Sequence, residues 1–78
     1  MPVVRLFAQA REAAGTSTDE IPGATVAEVL QGASARFGAH FAEVLPICRV
    51  WVNGEPAEAG SAVGAGDEVA ILPPVSGG

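Results

Sequence analysis

The last eight residues, Ile71-Leu72-Pro73-Pro74-Val75-Ser76-Gly77-Gly78, set one reactive group apart from the rest. An apolar run meets two prolines, and then the side chains vanish. Ser76, Gly77 and Gly78 have almost nothing to bury, so residues 73–78 are expected to form a flexible tail in solvent. Pro73 and Pro74 stiffen its root, because each ring fixes φ and the pair favours an extended path. The reach from Pro73 to Gly78 is at most roughly 20 Å, at ~3.3–3.6 Å per residue. At the tip stands the Gly78 carboxylate with no bulk around it. The expectation is that this carboxylate is the functional group and that residues 1–72 form the single domain that presents it.

The competing candidates for chemistry are weak. Cys48 alternates in step with Val50 and Val52, so it reads as a buried small hydrophobe and not as a relay thiol. His40 has no Cys or acidic cluster at ligand spacing, so no metal site is expected. No nucleophile–base arrangement or phosphate loop is visible. The chain alone is expected to catalyse nothing.

Composition narrows the partners. With 78 residues there is room for one domain and a small core. Hydrophobic residues make up 49%, too many for a disordered chain. The net charge is −5, and all four cationic residues are arginines. An acidic chain without basic clusters fits neither nucleic acid nor an anionic membrane, and it suggests a partner with a basic surface. Without lysine, the chain offers no side-chain amine for isopeptide linkage to another copy. A single Cys excludes an internal disulfide and fits a reducing cytosol. No stretch is long and apolar enough to span a membrane, and no signal-peptide pattern is present. A cytoplasmic location is expected.

The elements that hold the tail follow from pattern. Residues 3–8 read as a strand, with Val4, Leu6 and Ala8 on one face and Val3, Arg5 and Phe7 on the other. Residues 9–14 read as a helical turn stopped by Gly15. Residues 16–21 read as an edge strand, antiparallel to the first. Thr25-Val26-Ala27-Glu28 matches a capping box, in which Glu28 reaches back to the Thr25 N–H. Behind it Val26, Val29, Leu30, Ala33 and Phe37 form one helical stripe, with Gly38 as its stop. Gly32 lies inside that helix and suggests close approach to the sheet. Residues 39–46 read as a connection whose Phe41, Val44 and Leu45 cover the core. Residues 47–52 read as a strand with Cys48, Val50 and Val52 inward. Asn53-Gly54 signals a hairpin into a short return strand at residues 55–58. Residues 60–66 read as a loop anchored by Val63. The last strand, residues 68–72, turns Val69 and Ile71 inward.

One helix covers only one face of such a sheet, so the class is α+β. If the first, third and last strands are neighbours, the open face gathers Phe7, Trp51, Ala70 and Leu72, with Arg5 and Arg49 close by. An apolar, aromatic patch rimmed by Arg has the composition of a protein interface.

Several segments carry a family resemblance. The strand-strand-helix-strand-strand plan with a projecting Gly-Gly end resembles the β-grasp, ubiquitin-like sulfur carriers. Leu6-Phe7-Ala8 with Arg11-Glu12-Ala13-Ala14-Gly15, Val52-Asn53-Gly54-Glu55, Gly66-Asp67-Glu68-Val69-Ala70 and Pro73-Pro74-Val75-Ser76-Gly77-Gly78 are similar to the small subunit of molybdopterin synthase. The Pro-Pro-Val-Ser-Gly-Gly ending is the most specific. Ile71-Leu72 departs from the aromatics common there. The resemblance implies a mixed sheet of four to five strands with one main helix on one face.

The resemblance also implies a cycle. An ATP-dependent adenylyltransferase similar to ubiquitin-activating enzymes activates the Gly78 carboxylate. A sulfur donor protein converts it to a thiocarboxylate. The large subunit of molybdopterin synthase then receives the sulfur for cyclic pyranopterin monophosphate, in molybdenum cofactor biosynthesis. No bound cofactor is implied. Gly77 and Gly78 carry the chemistry. Phe7, Arg11, Trp51, Leu72, Pro73, Pro74, Val75 and Ser76 would meet the partners. Three alternatives stay open: a sulfur carrier for another product such as the thiazole of thiamine, a ubiquitin-like protein modifier, and a binding module with an inert tail.

Overall fold

Strict alternation along the last strand turns one of its faces into the core. In the computed structural model, which describes residues 1–74, the elements run β1 (Val3–Leu6), α1 (Ala8–Ala14), β2 (Thr18–Glu20), α2 (Val26–Phe37), α3 (Ala39–Val44), a 3-10 turn (Leu45–Ile47), β3 (Arg49–Val52), β4 (Glu55–Pro56) and β5 (Glu68–Leu72). The sheet order is β2-β1-β5-β3-β4. β1 and β5 are parallel, and the other neighbours are antiparallel. Val69 and Ile71 are fully buried between their neighbours Val4 and Leu6 on β1 and the half-buried Val50 and Val52 on β3. Their partners on the inner side are Val26, Val29 and Ala33 of α2, together with Ala10, Ile21 and Phe41. Each large aliphatic or aromatic side chain buried this way contributes roughly 1.5–3 kcal/mol. This is the expected α+β, ubiquitin-like β-grasp.

The capping box forms with one change. Thr25 accepts from the Glu28 N–H at 3.3 Å, while the Glu28 carboxylate accepts from the Ala24 N–H at 2.9 Å, one residue earlier than expected. At Gly32 a Cβ would fall 2.7 Å from the Ile21 side chain, just past β2, which accounts for a glycine in mid-helix.

Three expectations are corrected. Residues 39–44 form α3, and Phe41 on it is wholly buried against Phe37, ring centroids 5.1 Å apart. Gly38, at φ 97°, separates α3 from α2. Residues 45–47 form a 3-10 turn, so β3 begins only at Arg49. Ala8 is exposed and opens α1, where it was expected on the core face of a strand.

Ala8 has φ 50°, a left-handed conformation that L-residues adopt at a cost of roughly 1–2 kcal/mol. Glycine removes that cost and loses about 0.5–1 kcal/mol to entropy. Ala8→Gly is therefore predicted to stabilise the domain by about 0.5–1 kcal/mol in urea unfolding. A loss of stability would show that the Ala8 methyl makes contacts worth more than the strain.

The hairpin at Asn53-Gly54, φ 51° and 83°, joins β3 to β4. Asn53 also fastens it to β5: its Nδ2 donates to Asp67 at 3.0 Å, and its Oδ1 accepts from the Glu68 N–H at 3.0 Å. The Asn53 amide and the Gly64 N–H hold the Asp67 carboxyl below its ordinary range. The Glu20 N–H and Arg36 do the same for Asp19. Groups with a depressed folded pKa stabilise above the unfolded value and lose that contribution as pH falls through the folded one. We predict a urea midpoint that is flat from neutrality down to about pH 4 and declines below it. Asp67→Asn should shrink the decline. A midpoint that is level through the acid range would contradict the prediction.

Candidate functional site

The candidate site comprises the open sheet face and Pro73–Pro74, which follow its central strand. Register places Arg5, Ala70, Trp51 and Pro56 in one row across β1, β5, β3 and β4. Arg49 pairs with Leu72 in the next row toward the tail. Phe7 follows β1 at the same end. Its N–H donates to the Ile71 carbonyl at 3.2 Å, and its own carbonyl accepts from the N–H groups of Ala10 (3.1 Å) and Arg11 (3.4 Å). β5 and α1 together thus fix the Phe7 backbone beside the last strand residues before the tail.

Both aromatics are unusually open, Phe7 at 43% and Trp51 at 37% exposed. Trp51 stands on β3 and Phe7 just past the end of β1, the two strands that flank β5. Arg11 joins Phe7, Arg5 and Thr18 around a shallow cleft of about 180 Å³. Arg5 is engaged by Glu68 at 2.8 Å. Among the described residues, Arg11 and Arg49 have no ion-pair partner. Leu72 and Pro73 are half-buried and Pro74 is exposed. Val75, Ser76, Gly77 and Gly78 lie outside the described residues. The structure thus places Phe7 beside Ile71 at the end of β5, with Trp51 in the neighbouring row, whereas Arg11 lines a cleft with Ser17 and Thr18 on the β2 side of β1.

Sequence reading left Ile47 out of this set. It is 57% exposed, two residues before Arg49, at the end of β3 where β5 releases the tail. Its place in an Ile-Cys-Arg-Val-Trp alternation, on the face of Arg49 and Trp51, was the available signal.

Cys48 and His40 remain. The Cys48 thiol is half-buried, donates to the Val44 carbonyl at 3.4 Å, and is pushed up by burial. It lines a cleft of about 330 Å³ at the β3–β4 edge with Val26, Leu30, Arg49, Trp51 and Ala57. His40 is on α3 beside Gln9 and Glu12. Among the described residues there is no cluster of three metal-ligating side chains, and no helix is long and apolar enough to cross a membrane.

Residues 4–78 match the ThiS family. The chain belongs to the ThiS family. Members of this kind are β-grasp sulfur carriers or ubiquitin-like modifiers. Small archaeal modifier protein 1 of Haloferax volcanii is 39% identical, over 95% of this chain and 97% of its own. Its crystal structure superposes with a TM-score of 0.81, at 37% identity over 97% of each chain. The Amycolatopsis orientalis BexX/CysO complex contains a chain with a TM-score of 0.84 and 27% identity, covering 100% of both. A chain in the complex of subunits 1 and 2 of the Helicobacter pylori molybdopterin-converting factor gives 0.71 and 25%, covering 97% of this chain and 96% of its own. The two complexes show ThiS-like chains held by protein partners. Molybdopterin therefore enters through a structural neighbour, while the sequence relative is named a modifier.

Proposed function

We propose that this chain is a ubiquitin-like carrier whose Gly78 carboxylate is activated as an acyl-adenylate and then passed to sulfur, as a thiocarboxylate, or to an amine of a target protein. The observation that carries the reading is the 39% identity to an archaeal modifier along 95% of the chain, with the ThiS match running through Gly78. A carboxylate is a poor electrophile, and adenylation gives it a leaving group. The partners are an ATP-dependent adenylyltransferase and a sulfur donor protein. Gly77 and Gly78 enter their pockets, while Phe7, Trp51, Leu72 and Ile47 form the apolar docking face, rimmed by Arg11 and Arg49. Pro73, Pro74, Val75 and Ser76 span the gap.

Intact mass of the protein from its native cell tests this. A shift equal to sulfur replacing oxygen marks the carrier, and heavier adducts that survive reducing denaturation mark the modifier. An unchanged chain with no adducts under sulfur demand defeats both. For the docking face, Trp51→Ala and Phe7→Ala are each predicted to weaken binding to the adenylyltransferase by about 2 kcal/mol, roughly 30-fold, as buried aromatic anchors do. Titration calorimetry reads this directly, and unchanged affinity in both variants would move the interface elsewhere.

A second reading, the sulfur-donating small subunit of molybdopterin synthase, draws support from the Pro73-Pro74-Val75-Ser76-Gly77-Gly78 ending and the Helicobacter pylori structure. Thiocarboxylated chain mixed with the large subunit and cyclic pyranopterin monophosphate should then yield molybdopterin. No product would remove this reading and leave the first intact.

A further inference from the structure

An activated acyl end endangers its own carrier, because any exposed amine or thiolate on another copy can capture it. Among its side chains the surface lacks such groups, and the exposed amine that remains is the main-chain amino group of Met1. Its four cationic residues, Arg5, Arg11, Arg36 and Arg49, are all exposed and all arginine. A guanidinium stays protonated at every cellular pH and does not attack acyl carbon. The ion pairs do not demand arginine. Arg5 meets Glu68 through Nε, and Arg36 meets Asp19 through Nε, contacts at one nitrogen that an ammonium can also make. The one thiol, Cys48, is half-buried, hydrogen-bonded to Val44 and shifted toward its protonated form.

We propose that the side-chain surface is inert toward the chain's own activated terminus, so that activated copies do not join to one another through side chains. The inference rests on the activation of Gly78 set out above. In the event that is avoided, an amine nitrogen bonds to the Gly78 acyl carbon. The bond from that carbon to its leaving group breaks, and the leaving group departs with the electron pair. The amine proton passes to it or to solvent.

The test uses the full chain bearing a Gly78 thioester, made by thiol cleavage of an intein fusion, so that it needs no activating enzyme. Failure here is thereby separate from failure of the activation reading. Wild type, Arg36→Lys and Arg49→Lys are incubated at mildly alkaline pH, with circular dichroism confirming that each is folded. Addition of hydroxylamine checks that each thioester is reactive. Covalent dimers are counted by reducing gel and intact mass, and peptide sequencing separates side-chain linkages from those to the main-chain amino group. Side-chain-linked dimers, at two chains less the departing thiol, are expected at least about tenfold above wild type in both variants. Dimers no more abundant in the variants than in wild type would overturn the inference. Side-chain-linked dimers of wild type itself would do the same.

Discussion

Deletion of Gly78 is expected to leave the thermal transition of the domain in place and to slow activation of the terminus by about 10²-fold or more. The domain half of this expectation follows from the core. Among the described residues, the large fully buried side chains lie between Val4 and Ile71, and Gly78 has no side chain to contribute. The activation half follows from reach. One residue shortens an extended tail by roughly 3.3–3.6 Å, and misplacing a reacting atom by even about 1 Å can cost ~10²-fold. Gly77→Ala separates length from width: it keeps the reach and adds one methyl group where the tail threads a partner's pocket, and glycine permits the closest backbone approach. It should also slow transfer while leaving folding unchanged. Pyrophosphate release measured with the adenylyltransferase reads both variants. Wild-type rates in the shortened chain would remove Gly78 from the chemistry.

Phe41→Ala is expected to have the largest effect on stability. Truncating a buried Phe costs about 3–5 kcal/mol. A domain of 78 residues has roughly 4–12 kcal/mol to lose, at ~0.05–0.15 kcal/mol per residue. Phe41 is fully buried, packs edge-on against Phe37, and belongs to the helix that bridges α1 and α2. Urea unfolding should show the midpoint collapse, with a substantial unfolded fraction in buffer. A loss below about 1 kcal/mol would mean that the surrounding helices close the cavity. Because Phe41 is buried inside the domain while Phe7 and Trp51 are exposed on its surface, the protein that stays folded should still bind its partner.

Phe41 also shows where sequence reading stops. β5, the α2 stripe and the Asn53-Gly54 hairpin were legible because each has a local signature: strict alternation, a capped helical period, two residues that accept positive φ. α3 has six residues between Gly38 and the Leu45–Ile47 turn, too few for a period to show. Ala8 continued the alternation of β1 on paper, but the chain turns left-handed there to begin α1. Glu28 was seen as a cap, and its partner was missed by one residue because the approach of the loop before Thr25 is a tertiary matter. At the site, Phe7 and Trp51 were readable from side-chain alternation. Ile47 shares that alternation but lies in the 3-10 turn that delays the start of β3 to Arg49, which the sequence pattern did not show. A Gly-Gly end by itself serves many acceptors, so on the function proposed above product specificity would rest on what fits the open face.

The position of β5 bears on what happens when the tail is pulled. β5 is the central strand, held by β1 on one side and β3 on the other. Traction along the tail loads both ladders lengthwise, in shear, so their hydrogen bonds share the force and do not open one by one. A peeled edge strand such as β2 would have no such resistance. A machine that drags this chain through a narrow pore by its tail, or by whatever the tail is joined to, meets the sheet at its strongest axis first.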